Sequence, residues 1–334
     1  MILRPKPSLR HNAHPAGIEL VTTVAPVPSW LRRAVDGPQS LDEAAVVAGA
    51  TIGALDAVVR RQERWAGAWR QRLALAAAAS TSRKAGRVED DGALRDAVCL
   101  TRPGDDVGPA GRILLAWRRL TLLPAEDLLT EAVLAAALDE LGHGGDDEAV
   151  SDLIEDLRQL SGAEGVVAVL TGAFAAAERH GFGRSFGSWL ADVLLAQRLG
   201  WQYAVPLLGA QSGSGGYTRG VRPRITSLAE RDQGPGRESV QSLLVAHARA
   251  ALRAVELSAE LDRRAQRLIA VAPKLRAKGS DAVVEKLLSD DAIVASQPIP
   301  GMSERGLRRL FDRLVDFGAV RELSGRPTFR LYGL

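Results

Sequence analysis

Residues 281–334, DAVVEKLLSDDAIVASQPIPGMSERGLRRLFDRLVDFGAVRELSGRPTFRLYGL, decide the fold class of this chain. Apolar side chains recur at helical spacing over 283–288 and again over 307–317, which predicts two helices. Ser303 precedes the second helix, and its hydroxyl can accept a hydrogen bond from the free amides of the first turn. Gly318 lies where this helix is expected to end. The stretch therefore predicts a short helix followed by a strongly amphipathic one.

A turn and a hairpin complete the pattern. The prolines and glycine of 298–301 predict a turn between the two helices. Residues 320–323 and 328–332 have the character of two strands, and Ser324-Gly325-Arg326-Pro327 joins them. A winged helix-turn-helix has this order of elements: a helix, then a turn or a short helix, then a second helix and a hairpin. We predict that fold for residues 279–334, at the end of a mainly α-helical protein.

Arginines occupy the polar side of the second predicted helix. Arg305, Arg309 and Arg313 are spaced by four residues, with Arg308 beside them, so their charges repel one another on a solvated helix. A polyanion would relieve this repulsion, and a helix has the width to enter the DNA major groove. Arg326 lies in the hairpin turn, where a wing could reach a minor groove or a phosphate. The sequence therefore predicts DNA contacts at these five arginines.

The charge balance of this segment leaves alternatives open. Residues 279–334 contain eight basic and eight acidic residues, and Asp312 and Asp316 relieve part of the repulsion on the helix. The charges are segregated, because four acidic residues precede the second helix while seven arginines lie within or after it. We predict a sequence-specific DNA-binding protein, a regulator or a mobile-element maintenance factor. A solvated arginine-rich face, on a scaffold whose winged helix binds protein, is the alternative.

Composition predicts the organisation of the remainder. The chain has 334 residues, is 46% hydrophobic and only 4% aromatic, and is dominated by alanine and leucine, which favours helices. In chain order we predict a flexible arm (1–28), a multi-helix body (29–210), a Gly/Ser/Arg-rich linker (211–237), a long helix (238–273) and the winged helix (279–334). The net charge of +3 does not by itself indicate nucleic acid.

Two local patterns stand out in the first 273 residues. Ser40-Leu-Asp-Glu43 is a capping box, which predicts the start of a helix running to about Arg61. The long helix carries a broken apolar stripe that includes Leu244, Leu257 and Leu268, over a length of roughly 50 Å. Because one small domain would not bury so long a stripe, we predict a homodimer that pairs through this helix.

Several classes of protein are not indicated. Cys99 is the only cysteine, which excludes an internal disulfide and a metal–thiolate cluster. The N-terminal residues lack the apolar core of a signal peptide, and no stretch of about 18 apolar residues predicts a membrane span. We therefore expect a cytoplasmic protein that does not enter a membrane.

Complete catalytic motifs are absent from the sequence. It contains no phosphate-binding Gly-x-x-x-x-Gly-Lys-Ser/Thr loop, no His-Glu-x-x-His metal helix and no Gly-x-Ser-x-Gly nucleophile elbow. We therefore expect no catalytic residues, no metal and no cofactor. An enzyme whose site is assembled from distant residues, such as Glu178, His180 and Arg184, is a further alternative.

Several motifs carry a resemblance to known proteins. These are Trp69-Arg-Gln-Arg-Leu-Ala-Leu75, Asp90-Asp-Gly-Ala-Leu-Arg-Asp96, Leu100-Thr-Arg-Pro-Gly-Asp-Asp106, Gly108-Pro-Ala-Gly-Arg112 and Glu322-Leu-Ser-Gly-Arg-Pro-Thr-Phe-Arg-Leu-Tyr-Gly-Leu334. They resemble the bacterial family called domain of unknown function 1403, over nearly the whole chain after the arm. That family has no established activity to imply.

A more distant resemblance concerns the end of the chain. Residues 279–334 are similar to the winged-helix end of Fic-type proteins, in which a helical body and a long linker helix precede a wing of the Thr-Gly-Arg type. Fic enzymes carry His-Pro-Phe-x-x-Gly-Asn-Gly-Arg, whereas the nearest string here is His180-Gly-Phe-Gly-Arg-Ser-Phe-Gly187. Because the proline, the asparagine and the spacing are missing, the resemblance implies no nucleotidyl-transfer activity.

Overall fold

The computed structural model describes residues 27–37, 40–144, 147–162, 165–211, 235–275 and 277–334. Within them the chain forms twelve α-helices: α1 (Ser29–Val35), α2 (Leu41–Arg60), α3 (Ala66–Lys84), α4 (Asp91–Cys99), α5 (Gly108–Leu122), α6 (Glu131–Glu140), α7 (Asp147–Ser161), α8 (Val166–Arg179), α9 (Gly183–Leu199), α10 (Pro235–Val271), α11 (Ser280–Ser289) and α12 (Glu304–Asp316). The predicted mainly α-helical fold is confirmed. The predicted arm, apart from its last two residues, and most of the predicted linker lie outside the described residues.

A small antiparallel sheet lies at the end of the described chain. Its strands are β1 (Ile293–Val294), β2 (Arg321–Glu322) and β3 (Leu331–Gly333), in the order β1-β3-β2. The central strand pairs Tyr332 with Ile293 on one side and with Glu322 on the other. Gly333 is required here, because a Cβ atom at this position would lie 2.4 Å from the carbonyl oxygen of Asp291.

Side-chain caps begin several helices, and the cap of α2 lies at the residue that the sequence predicts. The Ser40 hydroxyl accepts a hydrogen bond from the Glu43 amide at 3.1 Å, so the capping box begins α2 as predicted. Asp90 caps α4 by accepting from the amide of Ala93 at 2.8 Å. No sequence pattern predicted α1, which precedes α2.

The long helix α10 is buried within its own chain. It packs mainly along α2 and also contacts α1, α3 and α8. Leu244, Leu261 and Leu268 are at most 5% exposed, so the apolar stripe already has an intramolecular partner. Most of the stripe is therefore buried within the chain, and the homodimer that pairs through α10 stays a prediction.

The elements from α11 to β3 pack directly on the body. One continuous apolar core runs from Val27 to Leu334. Gly67 of α3 approaches the end of α11 so closely that a Cβ atom would lie 2.6 Å from the Ser289 carbonyl oxygen. Residues 279–334 are therefore built into the same core as the helical body.

A buried ionic cluster joins the two parts. Asp291, which follows α11, is fully buried and forms ion pairs with Arg72 of α3 and Arg95 of α4. The Arg95 Nε atom donates to Asp291 Oδ2 at 2.6 Å. Burial by itself would raise the pKa of the Asp291 carboxyl group, but the two guanidinium groups outweigh it and hold that pKa below its ordinary value.

None of the helices in the described parts of the chain combines the length and the apolar character that crossing a membrane requires.

Candidate nucleic-acid interface

Helix α12 presents one apolar and one polar face. Leu307, Leu310, Phe311 and Leu314 are at most 4% exposed, and the Phe311 ring stacks on Tyr332 of β3 with centroids 4.3 Å apart. Ser303 caps the helix by accepting from the Gly306 amide at 3.2 Å, as the sequence predicts. This packing fixes the rotation of α12, so its polar face is held toward solvent.

The four predicted arginines of α12 are all exposed but differ in their contacts. Arg308 forms an ion pair with Glu304, one turn earlier. The Arg313 guanidinium lies 5.4 Å from the centroid of the Phe317 ring. Arg305 and Arg309 have no ion pair or hydrogen bond to any residue that the structure describes, which leaves their donors available.

Arg326, the predicted wing contact, is placed differently from the sequence expectation. It does lie in the loop between β2 and β3, but its guanidinium is turned to the body, where it pairs with Asp96 of α4. The two contacts are 2.7 Å (Nη1 to Oδ2) and 2.6 Å (Nη2 to Oδ1). A DNA contact by Arg326 stays a prediction, and it requires this ion pair to open.

A groove of about 400 Å³ separates α12 from the β2–β3 loop. Its lining consists of Ala295, Ser296, Glu304, Arg308, Asp312, Pro327, Thr328, Phe329, Arg330 and Tyr332. Phe329 on its rim is 67% exposed and has a φ of +52°, a conformation that bulky residues rarely adopt. The groove thus combines cationic, anionic and aromatic groups beside the exposed face of α12.

One further cation lies near the N-terminal end of α12. The aliphatic part of the Lys278 side chain lies 3.7 Å from the Cβ position of Gly301, in the turn before α12. Lys278 is exposed, so its ammonium group adds positive charge next to the start of the helix. The sequence reasoning did not select Lys278 or Phe329, because neither belongs to a periodic pattern.

Among the alternative catalytic residues, His180 contacts an acidic residue that the sequence did not select. His180 Nε2 lies 2.9 Å from Asp156 Oδ2 on α7, and Asp156 also pairs with Arg179. Hydrogen bonding to His180, followed by the charge of Arg179, holds the pKa of Asp156 below its ordinary value. Glu178 and Arg184 are exposed. The His180–Asp156 hydrogen bond therefore links the end of α8 to α7.

In the described ranges, no three His, Cys, Asp or Glu side chains converge in a way that could hold a metal ion.

Comparison with known proteins assigns the chain to a family without assigning an activity. A family model described as "Protein of unknown function (DUF1403)" matches residues 17–334, in agreement with the resemblance found in the sequence. No curated protein matches the chain. The resemblance to Fic-type proteins stays a prediction.

Proposed function

The chain belongs to the DUF1403 family, whose function is unknown, and we propose that it binds double-stranded DNA through the exposed face of α12. The observation that carries this proposal is the pair Arg305 and Arg309. They lie one turn apart on a rigidly packed helix, are exposed, and have no acidic partner among the described residues. A helix that displays unpaired guanidinium groups at this spacing suits the acceptors on guanine in the major groove.

The arrangement of α11, α12 and the sheet supports a winged helix. β1 follows α11, α12 lies between β1 and β2, and the last strand pairs between the other two. A turn closed by the Ile299–Met302 bridge occupies the place of the second helix. In a winged helix the element equivalent to α12 enters the major groove, and the hairpin lies beside it.

The contacts suggest a division of roles. Arg305 and Arg309 are free to donate to base edges. Arg313 is held over the Phe317 ring and keeps its charge, so it suits a backbone phosphate, whereas Arg308 can meet a phosphate only if its ion pair with Glu304 opens. The activity proposed is that of a regulator or a mobile-element maintenance factor.

A test begins with selection of DNA fragments from the source genome by the full chain. Binding of a selected duplex is then measured by fluorescence anisotropy at several salt concentrations. We expect Arg309→Ala to lose about 1–3 kcal/mol of discrimination between the selected site and a scrambled one. Arg313→Ala should weaken binding to both duplexes alike and reduce the slope of log affinity against log salt by about 0.9.

Arg198→Ala is the matched control, since Arg198 is an exposed arginine on α9 and its loss changes the net charge equally. The control should bind as the parent does. The proposal is refuted if the full chain binds no genomic DNA at low salt. It is also refuted if Arg305→Ala and Arg309→Ala leave affinity and discrimination unchanged.

Protein binding is the second candidate, and exposed apolar side chains favour it. Val315 and Phe317 at the end of α12 are 39% and 43% exposed, although the sequence places Phe317 on the apolar face. Phe329 adds a third exposed apolar group beside α12. If these residues bind a protein partner, Phe317→Ser should abolish capture of that partner, whereas Arg309→Ala should not.

A further inference from the structure

The contact between Arg326 and Asp96 has the geometry of a phosphate site. Two guanidinium nitrogens meet two carboxylate oxygens, at 2.6 and 2.7 Å. Arginine binds carboxylates and phosphates with this same paired arrangement. The side chains of Arg326 and Asp96 are 36% and 30% exposed, so an anion from solution can reach the pair.

The β2–β3 loop is held in this position against unfavourable features of its own. The Arg326 Nε atom is buried without a hydrogen-bond partner. Phe329 has a positive φ and leaves most of its ring in water. An unpaired buried donor and a left-handed bulky residue both disfavour the conformation that contains them. The Asp96 carboxylate offsets part of these costs, beside a hydrogen bond within the loop from Arg326 Nη2 to the Phe329 carbonyl oxygen at 3.3 Å, so removal of Asp96 should shift the loop away from the body.

The base of the hairpin does not depend on Asp96. The Glu322 carboxylate accepts hydrogen bonds from the amides of Ser324 and Gly325, at 3.0 and 2.9 Å. The Leu331 amide donates to the Ser324 hydroxyl, and the Leu323 amide donates to the Leu331 carbonyl oxygen. Release of Arg326 therefore frees the tip of the loop while the two strands stay paired.

We propose that Asp96 occupies the phosphate site of Arg326, and that a phosphate of bound DNA displaces it. This inference rests on the proposed function. Pro327 to Arg330 line the same groove as Glu304 and Arg308 of α12, so the loop already lies beside the proposed DNA-binding face. In the free protein Asp96 therefore blocks the contact of Arg326 with a DNA phosphate. When DNA binds, the phosphate displaces the Asp96 carboxylate and forms that contact.

Asp96→Ala in the full chain tests the competition. It removes both acceptors and introduces a residue that favours helices. A partly exposed ion pair shifts the equilibrium between the paired and the released loop by at most about five-fold. Its removal should therefore raise DNA affinity by roughly three- to five-fold. The gain should vanish in the Arg326→Ala background, and Arg326→Ala should reduce the salt slope of the Asp96→Ala protein by about 0.9.

Asp91→Ala is the control, because Asp91 lies on the same helix, is exposed and forms no ion pair among the described residues. It removes the same charge and should leave the Arg326-dependent affinity unchanged. A second readout needs no DNA: chymotrypsin should cut after Phe329 faster in Asp96→Ala than in the parent or in Asp91→Ala.

The outcomes separate this inference from the proposed function. If the parent binds DNA but Asp96→Ala gains nothing over Asp91→Ala, displacement by phosphate is wrong and DNA binding stands. Faster cleavage without a gain in affinity also overturns displacement by phosphate, because the loop then opens but Arg326 forms no contact with a DNA phosphate. If neither parent nor variants bind DNA, the proposed function fails, and the displacement fails with it.

Discussion

Replacement of Asp291 by asparagine should destabilise the whole protein strongly. The Asp291 side chain is fully buried, and the side chains of its partners Arg72 and Arg95 are only 16% and 10% exposed. Asparagine keeps the size of the residue but leaves two buried guanidinium groups without a counter-charge. Breaking a buried ion pair from one side costs about 3–5 kcal/mol. That is a large part of the roughly 5–15 kcal/mol by which a typical domain is stable.

The assay is urea denaturation of the full chain, followed by circular dichroism and tryptophan fluorescence. Glu285→Gln is the matched control, because Glu285 joins α11 to Arg64 through an ion pair whose side chains are more than half exposed. An exposed pair contributes about 0–1 kcal/mol. If Asp291→Asn lowers the free energy of unfolding no more than Glu285→Gln does, the buried cluster does not hold the two parts together.

The same cluster predicts a specific acid dependence. The folded-state pKa of Asp291 is below its ordinary value, so its contribution is complete above the unfolded pKa, near 3.9, and is lost as pH falls through the folded value. The difference in free energy of unfolding between parent and Asp291→Asn should therefore stay constant from about pH 7 to pH 5 and shrink below about pH 4. A difference that already shrinks at pH 6 would contradict this assignment.

Three further predictions concern buried residues outside the last part of the chain. Burial lowers the pKa of His247 to about 4, and neither ring nitrogen has a hydrogen-bond partner. The free energy of unfolding of the parent should therefore fall relative to that of His247→Leu as pH decreases from about 6.5 to 4, because the unfolded state takes up the proton first. Parallel curves of unfolding free energy against pH would refute this. Gly209→Ala should destabilise by about 1–3 kcal/mol in urea denaturation, because its Cβ would lie 2.3 Å from the buried Trp117 ring, whereas Gly53→Ala, with open space around it, should not. Asp192→Ala should cost about 1–3 kcal/mol in the same assay, because buried backbone amides lose their acceptor; an unchanged midpoint would show that another group satisfies them.

Local patterns in the sequence predicted the two helices and the hairpin of the last part, but not strand β1, which pairs with β3. The apolar spacing of α12, the Ser303 cap and the position of the hairpin depend on residues within a few positions of one another. The same holds for the capping box of α2. Such features follow from backbone geometry and hydrogen bonding over a single turn, so they can be predicted without knowledge of the rest of the chain.

Long-range pairing was decided only by the tertiary structure. Asp291 and Arg95 are 196 residues apart in the sequence, and Arg326 and Asp96 are 230 apart. An isolated aspartate has no local signal that distinguishes a buried counter-ion from a solvated charge. For this reason the sequence alone predicted a DNA contact by Arg326 in the wing and pairing of two chains through the stripe of α10. Folding determines which charges and which apolar faces meet, and here it turned Arg326 to Asp96 and buried the stripe against α2.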